Sequence, residues 1–222
     1  MSRNKIFIVI SSYNEGKYIN SVLESVKFVK LPVVLVDDGS KDDTSKIAGN
    51  ISGVTVIQHK VNLGKGAAMK TGCDYAFSRG AEAVIFMDAD GQHSPEDISK
   101  FVGALDKGYD VVFGSRDYGY ATPFVRYMGN KVASVLVSLL YGIYVNDLLC
   151  GFRGLTKNAY KKIMWESRGY GVETEMVIKT AVAKLKHCQV SVAAIYLDEV
   201  KGVTILDAFG VLVDVFRWKM QK

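Results

Sequence analysis

The sequence of 222 residues predicts an α/β fold: an open, mostly parallel, doubly wound twisted sheet flanked by helices. Three observations predict it. Short runs rich in β-branched residues recur through the first hundred positions, helix-patterned segments alternate with them, and a polar cluster follows each of the first four runs. Residues 6–10, 33–36, 54–57 and 83–87 are apolar runs of four or five, the pattern of strands covered on both faces. Between them, 17–29, 43–48 and 65–78 carry helical spacing with Gly or Asn punctuation. Ser94-Pro95-Glu96-Asp97 reads as a helix start, with Ser as N-cap, Pro at the first position and acids in the first turn. A fifth strand is expected at 111–113. The second half is less regular, with helices expected at 124–141 and near 172–185, a strand at 189–196 and a last helix from 203.

Composition narrows the function. Hydrophobic residues at 49%, charged residues at 23% and only three prolines exclude disordered and low-complexity chains. A net charge of +5 suits phosphate-bearing ligands or an anionic membrane surface but is too small by itself for nucleic-acid binding, which is not expected. Cys73, Cys150 and Cys188 are scattered and form no CxxC pair, so neither a zinc site nor a disulfide framework is expected, and a reducing, cytoplasmic setting is. Only five apolar residues follow the basic start, too few for a signal peptide. The longest uncharged stretch, 132–146, falls short of the roughly 20 residues of a spanning helix.

Ligands of open α/β sheets bind beyond the carboxyl ends of the strands. There the sequence places Ser11-Ser12-Tyr13-Asn14-Glu15, Asp37-Asp38-Gly39-Ser40, Asn62-Leu63-Gly64-Lys65-Gly66 and Asp88-Ala89-Asp90-Gly91-Gln92-His93. Taken singly each has a plain structural reading: an Asx-capped turn, a helix start with close backbone approach, a loop. Together they are expected to present at least five carboxylates to one crevice. Such crowding is relieved by a hard divalent cation, Mg²⁺ or Mn²⁺, bridging to a diphosphate.

These residues resemble the family 2 glycosyltransferases of GT-A, Rossmann-like fold. The set is Ser-Tyr-Asn-Glu (12–15), Val-Asp-Asp-Gly-Ser (36–40), Asn-x-Gly-Lys-Gly-Ala-Ala (62–68) and Asp-Ala-Asp-Gly-Gln-His (88–93). With Gly-Ser-Arg (114–116) and Asp-Leu-Leu-Cys-Gly-Phe-Arg (147–153), it more closely resembles polyprenyl-phosphate sugar synthases of the dolichyl-phosphate mannose or glucose type. The resemblance implies that Tyr13, Glu15 and Asp38 hold base and ribose in a pocket lined by Ser11 and Val36. It also implies that Asp88 and Ala89 run along the ribose and first phosphate, and that Lys65 and, from a late loop, Lys201 join the donor contacts. The same resemblance implies that Asp90 with Gln92 binds the metal on the diphosphate and that Arg116 and Arg126 clamp an acceptor phosphate. It places Asp147 where relatives carry a carboxylate near the acceptor, as base or orienter. Ser11 departs from the family's usual Pro.

The implied reaction is an inverting, metal-dependent transfer of a hexose from a nucleotide sugar of the GDP-mannose or UDP-glucose type to polyprenyl or dolichyl phosphate. A phosphate acceptor is already anionic near neutral pH and needs no general base, which fits arginine clamps without a histidine base. The main alternative keeps the donor chemistry and takes a soluble glycan or protein hydroxyl. A non-catalytic Rossmann domain is disfavoured because no GxGxxG follows the first strand. A GT-A domain is expected over 1–202. An amphipathic helix over 203–222, with Trp218, Lys219 and Lys222 near its end, is suited to the cytoplasmic membrane surface or to a partner, including a second copy.

Overall fold

A computed structural model describes residues 5–117, 124–169, 171–193, 195, 215, 218 and 219, the side chains of 124–126 apart. Seven strands form one sheet: β1 (Ile6–Ser12), β2 (Val33–Asp37), β3 (Val54–Gln58), β4 (Ala83–Asp88), β5 (Val111–Arg116), β6 (Arg153–Thr156) and β7 (His187–Val192), in the order β3-β2-β1-β4-β6-β5-β7. All neighbours are parallel except β6, which runs antiparallel to both β4 and β5. The helices are α1 (Ile19–Val26), α2 (Thr44–Gly49), α3 (Lys65–Ser78), α4 (Ile98–Asp106), α5 (Phe124–Tyr141), α6 (Lys157–Ile163) and α7 (Val172–Val182).

Side chains alternate across a strand, so continuous apolar runs feed two cores. Ile6, Ile8, Ile10, Ile85 and Met87 join Leu23, Val26 and Phe101 from α1 and α4 on one face. Val9, Val84, Phe86 and Phe113 join Met69, Val137 and Met176 from α3, α5 and α7 on the other.

The first five strands fall where the sequence places them. Three expectations need correction. Residues 17–29 form α1 plus a 3₁₀ turn at Lys27–Val29, ended by Lys30 in the left-handed conformation. The late strand begins at His187, because its register against β5 pairs Val111 with His187 and Arg116 with Val192. The strand β6 and the helix α6 were not expected at all.

Chain order reverses between β1, followed by β2 and β3 on one side, and β4 on the other. That reversal opens a crevice at the carboxyl ends. Ser11 stands at its floor, in register with Val36 of β2 and Asp88 of β4.

Candidate active site at the carboxyl ends of four strands

The loops after β1 and β2 are stitched together. The Asn14 N–H donates to Ser40 Oγ at 2.8 Å, the Lys41 N–H returns to Asn14 Oδ1 at 2.8 Å, and the Glu15 and Gly16 N–H groups donate to Thr44 Oγ1 and Asp42 Oδ2, each at 2.9 Å. Tyr13 is left exposed at the lip, and Glu15 is half-buried.

The two carboxylates after β2 point into this scaffold. Asp37 is buried and accepts from the Ser40 N–H (3.0 Å), the Ser40 and Ser45 hydroxyls and Gln58 Nε2 (3.2 Å). Asp38, 3% exposed, accepts the Leu63 and Gly64 N–H groups at 2.9 and 2.7 Å and lies 2.7 Å from His59 Nδ1. Both organise loops, so the expected crowd of five carboxylates reduces at the crevice. Val36 is fully buried against Val34 and Ala68, so its side chain packs beneath the site. Ala89 is likewise buried, in the core under α1.

At the end of β4 the electrostatics become specific. Lys65, the first residue of α3, places Nζ 2.6 Å from Asp88 Oδ1 and 2.7 Å from Glu173 Oε1 on α7. Burial works against that ammonium, but the two carboxylates outweigh it and hold its pKa above the ordinary lysine value. Burial would raise the Asp88 carboxyl, and Lys65 with other nearby cations, Arg116 among them, lowers it instead. Asp90 differs: burial and the charge of Asp88 both raise its pKa, and among described residues its hydrogen bond comes from the Gln92 N–H at 3.0 Å. His93 is buried, stacks on Phe152 with centroids 4.9 Å apart and accepts the Asp88 N–H at Nδ1 (3.3 Å). Burial lowers its pKa, so it is a neutral spacer. A Cβ at Gly151 would lie 2.3 Å from Asp88 Oδ2, so any other residue there would push that carboxylate from its place.

Arg116, at the end of β5, donates Nε and Nη2 to Asp147 at 2.6 and 3.0 Å, and Asn130 Nδ2 of α5 donates to the same carboxylate at 2.8 Å. Asp147 is completely buried whereas the Arg116 side chain keeps a quarter of its surface. That geometry suits an orienter. Arg153, the first residue of β6, is fully buried and donates to the carbonyls of Cys150 (2.9 Å), Leu148 (2.6 Å) and Glu173 (2.5 Å). It ties the 147–153 loop to α7.

Sequence reasoning missed Glu173, Glu175 and Asn130. Glu175 accepts the Glu166 and Ser167 N–H groups at 2.8 and 2.7 Å, fixing a loop whose Arg168 carbonyl receives the Gly66 N–H at 2.7 Å. Gly64 has φ of +95°, and a Cβ on it or on Gly66 would strike the Arg168 or Ser167 carbonyl at 2.4 or 2.0 Å. The only local signal for these acids is their place in the first turn of α7, a favourable position for any carboxylate.

Lys201, the Arg126 side chain and most of the 203–222 segment lie outside the described residues. Arg126 falls on α5, Val215 is buried in the core, and its carbonyl accepts from Tyr141 Oη at 2.7 Å. Among the described residues no group of three or more His, Cys, Asp or Glu forms a metal cage. The donor set at Asp90 and Gln92 is nevertheless hard oxygen, and Asp90 is a half-buried carboxylate beside another anion, which fits a cation shared with a bound diphosphate.

Residues 7–164 match the family model described as glycosyl transferase family 2. A UDP-N-acetylglucosamine–dolichyl-phosphate N-acetylglucosaminyltransferase of Methanococcus voltae is 31% identical, over 100% of this chain and 99% of that protein. A polyprenol monophosphomannose synthase of Mycolicibacterium smegmatis is 29% identical, over 78% and 70%. Among solved structures, glucosyl-3-phosphoglycerate synthase from Mycobacterium tuberculosis with Mn²⁺, UDP-glucose and phosphoglyceric acid superposes with a TM-score of 0.75 at 21% identity, covering 97% of this chain and 79% of that chain. At that identity the likeness shows the fold.

Proposed function

This chain belongs to glycosyl transferase family 2 and is a glycosyltransferase of GT-A fold, and we propose that it moves a hexose or N-acetylhexosamine from a nucleoside diphosphate sugar to polyprenyl phosphate, with inversion at the anomeric carbon. The observation that carries this reading is the meeting of two charge systems in one crevice. Asp88, Asp90 and Lys65 gather at the end of β4, and the Arg116 guanidinium, close enough to lower the Asp88 pKa, extends from β5. One system suits a diphosphate donor and the other a phosphate acceptor.

Tyr13 at the lip, Glu15 and Ser11 at the floor are the donor-base end of the crevice, and Asp38 serves it by fixing the 63–64 turn. Lys65 lies where a positive charge meets the departing diphosphate. Asp90 and Gln92 would hold a divalent ion, which would supply Lewis-acid stabilisation to that leaving group. Arg116 receives the acceptor phosphate, and Asp147 with Asn130 fixes its fork so that the acceptor oxygen faces the anomeric carbon. No base is required, since a phosphomonoester with a second pKa of about 6 is already an anion at neutral pH.

A lipid acceptor also needs a surface that meets the bilayer. Met128, Val132, Val135 and Leu139 are exposed along one stripe of α5, with Leu139 80% exposed. No described helix is long and apolar enough to cross a membrane, so the stripe supports contact from one side.

The test is transfer of labelled sugar from uridine and guanosine diphosphate sugars into an organic-extractable lipid, with Mn²⁺ or Mg²⁺, a short polyprenyl phosphate and Asp90→Ala as control. Metal-dependent label in the lipid, lost in the variant, is the expected result. Donor hydrolysis with no lipid label removes the polyprenyl acceptor and turns the search to soluble ones.

A further inference from the structure

Glu173 is an unusual residue for its place. Its side chain is 3% exposed, Oε1 lies 2.7 Å from Lys65 Nζ, and Oε2 is buried with no hydrogen-bond partner among the described residues. A buried carboxylate is costly unless a cation pairs with it, and a buried carboxylate oxygen left without a donor adds to that cost. The fold nevertheless holds Glu173 firmly. Its carbonyl is fixed by Arg153 at 2.5 Å, while the start of α3 is fixed by the Gly66–Arg168 hydrogen bond and by Trp165 Nε1 donating to the Gly66 carbonyl at 2.8 Å.

The Lys65 ammonium thus sits between two carboxylates with different surroundings. Asp88 keeps about a quarter of its side-chain surface and stands at the crevice, whereas Glu173 is sealed behind it. With Asp88 alone, Lys65 forms a closed one-to-one pair that a ligand must break. With Glu173 behind, the ammonium stays anchored when Asp88 turns to a ligand.

We propose that Glu173 is a positioning residue: it holds the Lys65 ammonium at the diphosphate end of the crevice while Asp88 engages the donor. The proposal rests on the glycosyl-donor reading above. Glu173 acts through Lys65, and its place in the first turn of α7, which any acid fills equally well, does not account for the pairing.

The test is a double-mutant cycle on the full chain with Glu173→Gln, Lys65→Met and the double variant. The first readout is thermal melting without substrate. Lys65→Met removes the ammonium in contact with the buried Glu173 carboxylate and leaves it only the Arg153 guanidinium, whose donors are taken by main-chain carbonyls, so the double variant is expected to melt above the Lys65→Met single. A double variant melting no higher overturns the pairing, whatever the donor. The second readout is calorimetric binding of UDP and GDP with Mn²⁺. Glu173→Gln is expected to weaken binding about 10-fold in the wild-type background and less than 2-fold in the Lys65→Met background. Equal losses in both backgrounds, or no loss in either, overturn the positioning role. A wild-type chain that binds neither nucleotide defeats the donor reading and the positioning role with it, while the melting cycle still reports on the pair separately.

Discussion

Arg116 and Asp147 close a fork across 31 positions of chain: Nε meets Oδ2 at 2.6 Å and Nη2 meets Oδ1 at 3.0 Å. The two ends of the fork are not equivalent, because the carboxylate is wholly buried and the guanidinium is partly open to the crevice.

That asymmetry sets an order of effects. Arg116→Met removes the Arg116 guanidinium from the buried Asp147 carboxylate and is expected to cost about 3–5 kcal/mol. Asp147→Asn leaves a guanidinium that water reaches, and the expected cost is about 1–3 kcal/mol. Urea unfolding of both variants checks the order. Both are expected to lower transfer to the phosphate acceptor at least 100-fold, an effect on the order of 3 kcal/mol in the barrier.

Glu175 gives a pH signature in stability. Burial works to raise its carboxyl, but the hydrogen bonds from Ser167, Lys179 and the Glu166 main chain outweigh it and hold the pKa below the usual 4.5. The native state therefore binds fewer protons than the unfolded chain. The stabilisation is fully present above about pH 4.5 and is lost as pH falls through the lowered native value. Glu175→Gln is expected to destabilise at pH 7, and its deficit relative to the parent is expected to shrink as pH falls below 4.5. Denaturation curves across that range would show a constant deficit if the carboxylate charge were irrelevant.

Two glycines are expected to respond in opposite directions. Gly66→Ala drives a Cβ to 2.0 Å from the Ser167 carbonyl, a main-chain group that cannot swing aside, and is expected to cost about 1–3 kcal/mol and to displace Lys65. Gly103, inside α4, has open space where a Cβ would go. Gly103→Ala is expected to stabilise by about 0.5–1 kcal/mol, and calorimetric melting distinguishes the two.

The apolar stripe on α5 allows a membrane test that leaves the crevice untouched. Val132→Glu with Leu139→Glu is expected to change stability by less than about 1 kcal/mol, because both sites are exposed. Sedimentation with vesicles of anionic phospholipid is expected to fall sharply while UDP or GDP binding stays the same. Unchanged sedimentation would remove α5 as the contact.

Much of this arrangement is legible from residues alone, and the gaps have physical causes. Strands buried on both faces announce themselves as unbroken apolar runs, and α3 falls on 65–78 as its spacing indicates. Strand β6 does not announce itself: Arg153-Gly154-Leu155-Thr156 has one apolar residue, and its state comes from pairing with Phe86 and Phe113 far away in sequence. Asp37 and Asp38 are recognisable as a motif, but whether a carboxylate faces ligand or scaffold depends on donors at 40–64 that only the fold brings near. Glu173 is invisible for the same reason, since its partner Lys65 lies on another helix.

The antiparallel strand β6 carries one more consequence. Because β6 pairs with β4 on one side and β5 on the other, the sheet closes behind everything the chain does between Arg116 and Arg153. The described residues of that stretch build α5 and return to the crevice without contributing a strand. Changes confined to its exposed α5 surface would therefore alter what meets the acceptor while leaving the strand pairings as they are, whereas Asn130, Asp147 and Gly151 stay tied to the site.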